Sequence, residues 1–330
     1  MSATATRDQS LDFVKGLLVL IMVLYHAMNV FAEAEAGAYS YIRFVSGSFV
    51  FVSGYFIPGF YGERFRRQPA ATASRLLQRG GKLLALFTVL NGLILLTGVG
   101  NPHKQNALGD DYGARLLAIY GSGEPGAAAF QILLPIAYLL LLSPLLLALA
   151  RFRHELIGLA LAATLGWTYL GIEWVNVAMG LVGVIGLVLG LEAERLERPF
   201  AALGRTLLLT AIAAAMLLMQ YFDRNAMSYA AGVTLMVMLF YALAKKLALR
   251  DRASAVVITL GNYSLLAYIA QIVLLQIGAR LLGSPRWPLG PEIAAIVAAT
   301  SLLLILLCYA LSFLRRRSAL IDRSYRLVFS

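Results

Sequence analysis

The chain has 330 residues, of which 60% are hydrophobic and only 14% charged, and its formal net charge at pH 7 is +11. A soluble domain averages about 45–50% apolar and about 25% charged residues, so this composition excludes a soluble α/β enzyme. The positive charge is expected to orient the protein in a membrane rather than to bind nucleic acid. The single cysteine, Cys308, leaves neither an intramolecular disulfide nor a cysteine-based metal site.

Apolar stretches of bilayer-spanning length, about 20 residues, recur along nearly the whole sequence. They predict an all-α, polytopic membrane protein with about ten transmembrane helices, forming a single domain over 1–330 without a separate soluble domain. The predicted spans are 11–31, 41–61, 80–99, 128–149, 155–172, 174–191, 200–221, 226–244, 254–282 and 290–314. The sixth carries a small-residue face suited to close helix packing, made of Gly180, Gly183, Gly186 and Gly190.

Lysine and arginine are distributed unevenly between the segments that join these spans. If the N-terminus lies inside, the inner segments hold 22 of the 28 basic residues. Cytoplasmic loops of membrane proteins carry such an excess of positive charge. We therefore predict that both termini are cytoplasmic.

The first predicted helix carries three ionisable residues, Asp12, Lys15 and His26. Lys15 and His26 are 11 residues apart, close to three helical turns, so they share a face about 16 Å apart along the axis. Asp12 precedes Lys15 by three residues and is close enough to pair with it. Charged groups inside a membrane usually face a bundle interior or a watered cavity, so this stripe marks a candidate site.

Each of these residues also has a structural interpretation. Lys15 could extend its ammonium to the lipid headgroups with Asp12 as its partner. His26, predicted to lie in the outer half of the membrane, could be a hydrogen-bonded structural histidine. As a functional group, its imidazole titrates near neutrality and could take a proton from a hydroxyl.

The second predicted helix places Ser53, Gly54 and Tyr55 in an aromatic span. Small residues there permit close approach of a thin ligand, although helix packing is an alternative. The inner loop 62–79 is strongly basic and is mostly explained by topology. A second hypothesis is an anion site at the start of the third helix, where Arg79 and Lys82 flank two glycines and the helix N-terminus would add its donors.

Other candidate residues are scattered over the later spans. Glu173 lies in a short outer turn, and the ninth span contains Asn262, Ser264, Tyr268 and Gln271, which could line a cavity. The outer loop 100–127 could cover an outward-facing cavity or be a plain connector. The sequence contains no nucleotide-binding phosphate loop, no zinc-protease motif and no GxSxG elbow, and we expect no metal site.

Several of these segments match one family pattern. Arg7 precedes Leu11-Asp12-Phe13-Val14-Lys15-Gly16, and His26 follows Lys15 after ten residues. Phe51-Val52-Ser53-Gly54-Tyr55-Phe56-Ile57 comes next, then Arg79-x-x-Lys82, for which Arg64-x-x-Arg67 is a competing placement. Leu260-Gly261-Asn262-Tyr263-Ser264 forms a late element. Together they resemble the acyltransferase-3 family, with lysine replacing arginine twice and Gln271 standing where many members have a second histidine.

The resemblance implies a membrane-bound, acyl-CoA-dependent O-acyltransferase of a bacterial cytoplasmic (inner) membrane. It would move an acyl group, most commonly acetyl, from cytoplasmic acyl-CoA to a hydroxyl of a glycan or lipid-linked sugar at the outer side. His26 would be the general base on the acceptor hydroxyl, directly or through an acyl intermediate. Lys15 and Asp12 would position the donor or stabilise the start of the helix. Acyl-CoA is then a co-substrate and no cofactor is bound permanently. Membrane lipids are expected partners, nucleic acid is not, and homo-oligomerisation stays open.

The same resemblance distributes the remaining candidates between the two substrates. The acyl-CoA-binding set is Arg79, Lys82, Arg75, Arg64, Arg67, Ser53, Gly54 and Tyr55. The acceptor-site set is Glu173, Asn262, Ser264, Tyr268 and Gln271. Two other functions fit the sequence: a secondary transporter or glycan-lipid flippase with His26 as a proton relay, and an inactive relative that scaffolds a polysaccharide assembly complex.

Overall fold

The computed structural model describes residues 8–33, 41–97, 118–123, 129–152, 174–192, 226–247 and 251–329, with scattered positions between 155 and 170, between 210 and 214, and at 249. The helices are α1 (Gln9–Phe31), α2 (Phe44–Ile57), α3 (Glu63–Arg67), α4 (Pro69–Thr97), α5 (Leu133–Ala148), α6 (Val175–Leu191), α7 (Ala226–Lys246), α8 (Arg252–Asn262), α9 (Ser264–Leu281), α10 (Pro291–Arg317) and α11 (Ala319–Phe329). Over these ranges the only extended pairing is a bridge between Ala32 and Trp287. The all-α prediction is therefore confirmed for the described residues.

Within this part of the chain, five helical segments are long and apolar enough to cross a membrane. They are Gln9–Phe31, Phe44–Arg67, Met227–Lys246, Ser264–Leu281 and Pro291–Arg317. Two shorter apolar helices, α5 and α6, occupy the predicted fourth and sixth spans. The protein is a multi-pass membrane protein, while the count of ten spans and the side on which the termini lie stay predictions. The predicted fifth and seventh spans fall largely outside the described residues.

The predicted inner loop 62–79 is wrong, because this segment is almost entirely helical. A π-helical turn, Pro58–Gly62, extends α2 directly into α3. Gln68 then interrupts the helix, and α4 begins at Pro69, whose fixed φ suits a first helical position. The third helix thus starts 11 residues before the predicted boundary at 80, since a helix with a basic face continues beyond its apolar stretch.

The predicted ninth span consists of two helices. α8 ends at Asn262, and Tyr263 adopts φ −110° and ψ 24° before α9 begins. The capping carboxylate of Asp251 accepts from the Ser254 amide at 3.1 Å and starts α8. In the same way, Asp8 accepts from the Ser10 amide at 2.9 Å and starts α1. The terminal helix α11 was not predicted.

The small-residue packing predicted for the sixth span is confirmed at Gly183, Gly186 and Gly190 but not at Gly180, where an added side chain would meet nothing within 4 Å. A side chain at Gly183 would come within 2.7 Å of Leu139, and one at Gly186 or Gly190 would overlap the backbone of α2 at Phe51 or Tyr55. Helices that approach this closely gain van der Waals contact that larger residues would prevent. α2, α5 and α6 therefore form one tightly packed unit, while α1 contacts α2, α7, α8, α9 and α10 and lies at the centre.

Candidate active site

The ion pair predicted from the first-helix spacing is present. The Lys15 ammonium lies 2.6 Å from an Asp12 carboxylate oxygen, and the two side chains are 18% and 4% exposed. The ammonium also lies 5.0 Å from the centre of the Phe56 ring on α2, a cation–π contact. The Lys15 ammonium therefore lies between α1 and α2 inside the protein. At this point the first-helix motif meets the Ser-Gly-Tyr segment, which contains Phe56.

A third motif packs against the same turn of α1. A side chain at Gly261 of α8 would overlap the Asp12 carbonyl, and one at Gly16 would overlap the backbone of Val257. The two glycines therefore allow α1 and α8 to touch through their backbones. Because this contact fixes the Asp12 turn, the late Leu-Gly element supports the ion pair from the other side.

His26 lies further along α1, in a cluster of aromatic rings. Its ring centre is 6.2 Å from that of Tyr268 on α9 and 5.3 Å from that of Tyr25. The Tyr268 ring in turn makes an edge contact at 6.2 Å with Phe130. The Nε2 atom of His26 is buried. The structure thus joins two predicted site residues, His26 and Tyr268, that are far apart in the sequence.

Gln271 follows Tyr268 by three residues on α9 and is completely buried. Among the described residues, neither polar atom of its carboxamide has a hydrogen-bond partner. Leaving a buried polar group unsatisfied costs about 1–3 kcal/mol. Because buried polar side chains almost always find partners, this carboxamide points to a site that binds a polar molecule.

The predicted donor residues lie on α4 and the segment before it. Arg75, Arg79 and Lys82 are spaced by four and three residues and so share one face of α4. Arg79 donates to the Tyr61 hydroxyl at 2.6 Å. The expected helix N-terminus at this site is wrong, because Arg79 lies ten residues inside α4. The amide groups without a partner inside a helix belong to its first turn, which here follows Pro69, a residue that has no N–H itself.

The competing arginine pair on α3 is exposed. Arg67 donates to Glu63 at 2.9 Å, and this carboxylate also accepts from Arg66 at 2.5 Å. Arg64 lies on the same short helix. Part of the charge on α3 is thus balanced locally, whereas Arg79 is held by a neutral phenol.

The Ser-Gly-Tyr segment of α2 is used mainly for packing. Ser53 donates to the Phe49 carbonyl at 2.7 Å, and Tyr55 stacks on Phe51 with ring centres 6.4 Å apart. At Gly54, an added side chain would overlap the Gly183 carbonyl on α6. The helix-packing alternative is therefore confirmed at Gly54.

Contacts with the His26 cluster are not seen for the remaining acceptor candidates among the described residues. Asn262 is exposed at the end of α8, and Ser264 is half-buried at the start of α9. Glu173 lies outside the described residues, as does most of the outer loop 100–127.

The described part of that outer loop, 118–123, is anchored on the helices. The buried Asn176 side chain donates to the carbonyls of Ile119, Tyr120 and Gly121 at 2.8, 3.2 and 3.3 Å. Gln131 donates to the Gly123 carbonyl at 2.5 Å. This segment therefore packs against α5 and α6 and is more than a loose connector.

Three residues near the site were not singled out from the sequence. Phe56 is indicated only by its place in the Ser-Gly-Tyr segment, and Phe130 by nothing in the sequence. Phe130 has φ +59°, which is unusual for a bulky residue and marks a constrained position beside Tyr268.

The third, Asp8, joins the start of α1 to α7. It accepts from the Tyr241 hydroxyl at 2.9 Å and pairs with the Lys245 ammonium at 3.1 Å. Burial alone would raise the pKa of Asp8, but the hydrogen bonds from Tyr241 and Lys245 outweigh it and hold this pKa below its ordinary value. Asp8 is therefore an anchor for the helix that carries the ion pair and His26.

A membrane helix bundle with an ion pair, a histidine and an unsatisfied carboxamide in its interior defines a multi-pass membrane protein with a polar internal site. A family model described as an acyltransferase domain, that of the acyltransferase-3 family, matches residues 8–313. The chain therefore belongs to the acyltransferase-3 family, as the sequence motifs predicted. Comparison with curated proteins finds no match, and comparison with solved structures finds none.

Proposed function

We propose that this protein is an acyl-CoA-dependent O-acyltransferase of the bacterial inner membrane. In this proposal it moves an acyl group, most often acetyl, from cytoplasmic acyl-CoA to a hydroxyl of a glycan or lipid-linked sugar at the outer side. Membership of an acyltransferase family supports group transfer. The identity of the donor, the identity of the acceptor and the role of His26 go beyond family membership and are proposed here.

The observation that carries the proposal is that Tyr268 stands between two other buried groups of the site, the His26 imidazole and the unsatisfied Gln271 carboxamide. Tyr268 contacts the His26 ring, and Gln271 shares its helix face three residues on. A sugar presents several neighbouring hydroxyls. One would be oriented by the Gln271 carboxamide while an adjacent one lies against His26, and the aromatic rings would pack on the apolar face of the sugar.

The reaction follows from the proton affinity of imidazole. His26 accepts the proton of the acceptor hydroxyl while its oxygen attacks the thioester carbonyl. The C–S bond then breaks, and the imidazolium returns the proton to the departing coenzyme A sulfur. The products are an ester of the acceptor and free coenzyme A, and the histidine ends in its starting state.

The donor would approach from the end of the bundle that carries the basic face of α4. Arg75, Arg79 and Lys82 supply positive charge for the phosphates of coenzyme A. Lys15, paired with Asp12 and packed on Phe56, lies on α1 between this end and His26. We propose that this pair orients the donor arm.

The first experiment tests the catalytic assignment. The full chain, purified into lipid nanodiscs, is given radiolabelled acetyl-CoA and a panel of bacterial glycans. We expect label transfer by the wild type, none by His26→Ala, and near-normal transfer by Asn29→Ala, a polar control on the same helix. Normal transfer by His26→Ala would remove His26 from the reaction. A wild type that never consumes acyl-CoA but moves a solute would overturn the proposed function.

The second experiment tests the donor face. Arg79→Gln and Lys82→Gln should each raise the KM for acetyl-CoA severalfold with little change in kcat, because they remove charge that binds the donor in every state. Arg66→Gln is the matched control, since Arg66 is an exposed arginine nearby that pairs with Glu63. Equal effects of the three variants would show that only overall charge matters.

A further inference from the structure

The arginine-rich end of α10 carries a groove that the acyl transfer does not use. Its volume is about 680 Å³, and its walls are Leu306, Tyr309, Ala310, Phe313, Arg316 and Arg317. The lining residues recur every three or four positions, so they form one continuous face of the helix. From Leu306 to Arg317 this face is about 16 Å long at 1.5 Å per residue. That length is close to half of a hydrocarbon core about 30 Å thick, the depth of one leaflet.

The groove is apolar along its length and cationic at one end. Leu306, Tyr309 and Phe313 are exposed and lie within a segment apolar enough to cross a membrane. Arg317 covers the Phe313 ring at 4.6 Å, and Arg316 donates to the Ser312 hydroxyl at 3.1 Å. These contacts hold both guanidinium groups at the mouth of the groove.

The neighbouring arginine is used differently. Arg315 instead pairs with Asp322 of α11 at 2.7 Å and covers the Tyr325 ring at 4.0 Å. Neither Arg316 nor Arg317 forms an ion pair with any carboxylate of the described residues. Two of the three consecutive arginines are therefore available for an external anion.

The terminal helix α11 follows after one residue and has a face suited to a bilayer surface. Leu320 and Leu327, seven residues apart and so on one face, are 73% and 71% exposed. Arg323 and Arg326 are exposed beside them, while Tyr325 packs on Tyr263 with ring centres 5.5 Å apart. Exposed leucines flanked by arginines are typical of helices that lie in the headgroup region.

We propose that the end of α10 forms a binding site for one anionic phospholipid, with an acyl chain in the groove and the phosphate at Arg316 and Arg317. The ligand class follows from shape and charge together. An uncharged lipid would leave the two guanidinium groups without an anion, and a soluble phosphate would leave the apolar groove empty. α11, which Arg315 holds through Asp322, places its exposed leucines in the same leaflet.

Native mass spectrometry of the delipidated full-length protein tests this site. We expect phosphatidylglycerol to be retained about tenfold better than phosphatidylcholine of the same chains, given the attraction of each basic residue near a membrane surface. Arg316→Gln with Arg317→Gln should remove most of that preference. Lys246→Gln with Arg252→Gln, which removes two exposed charges elsewhere, should retain it.

A second variant tests the groove itself. Ala310→Trp fills the groove from an exposed position and should weaken phosphatidylglycerol binding while leaving the melting temperature unchanged. The proposal is overturned if the two lipids bind equally, if both charge variants behave alike, or if Ala310→Trp leaves lipid binding intact.

Discussion

Gly16 and Gly261, the glycines of two distant sequence elements, bring the backbones of α1 and α8 into direct contact. A side chain at Gly261 would meet the Gly16 amide at 3.0 Å and overlap the Asp12 carbonyl. The obstacle is backbone, which cannot move aside as a flexible side chain can. The position of the Asp12–Lys15 pair is therefore tied to a helix that begins 237 residues after Lys15.

Gly261→Ala should destabilise the protein by about 1–3 kcal/mol, as overpacking of a close contact does. Gly92→Ala is the matched control, because an added side chain at Gly92 meets nothing within 4 Å and alanine favours the helix. Thermal unfolding in one detergent measures both. A wild-type melting temperature for Gly261→Ala would contradict the backbone contact.

The Asp12–Lys15 pair should behave as a coupled unit. Asp12→Leu or Lys15→Met alone leaves one charge in the bundle interior, and breaking a buried pair costs about 3–5 kcal/mol. The double variant should be more stable than either single variant, because it removes both charges. A double-mutant cycle on melting temperatures checks this, and additive effects would show that the pair contributes no coupling.

Gln271→Met separates binding from stability. Methionine is similar in volume and has no unsatisfied polar atoms, so we expect equal or higher stability, because the buried carboxamide has no partner among the described residues. If the carboxamide orients the acceptor, the same variant raises the KM for the acceptor. Gln271→Met that melts lower than the wild type would indicate a structural hydrogen bond instead.

The terminal helix should be released by acid. Hydrogen bonds from Arg315 and then Arg326 hold the pKa of Asp322 below its ordinary value. A carboxyl group with a depressed pKa stabilises the docked helix fully above the usual aspartate value of about 3.9. This contribution is lost as the pH falls through the lower pKa of the docked state.

A nitroxide spin label at exposed Ser324→Cys measures this release, since the native Cys308 is buried. The label should become more mobile below about pH 4. Asp322→Asn should give the mobile spectrum already at neutral pH. An unchanged spectrum for Asp322→Asn would show that the ion pairs do not hold α11.

Local patterns in the sequence predicted the helices and the first-helix ion pair. The length of an apolar stretch identifies a span because a helix needs about 20 such residues to cross the hydrocarbon core of a bilayer. Asp12 meets Lys15 because three residues make almost one helical turn. The same criterion missed the start of α4, since its first turns are polar and basic. Apolar length also failed to predict the helix break at Tyr263, because this position is neither a proline nor a glycine.

The contacts that assemble the site could not be predicted in the same way. His26 and Tyr268 meet only because α1 and α9 pack together, and no local period reveals which helices become neighbours. The sequence predicted that Arg79 lies at a helix N-terminus, whereas the structure places it on the face of a helix that starts ten residues earlier. A shift of one helix boundary changes every neighbour of a side chain, although the residue types remain correct.

The distance in sequence between Gly16 and Gly261 also bears on how the protein is made. The two glycines are 245 residues apart. At about 5–20 residues per second, α1 is inserted roughly 10–50 s before α8 is synthesised. During that interval the backbone surface at Gly16 has no permanent partner, so nascent chains that stop before α8 should be substrates for membrane quality-control proteases.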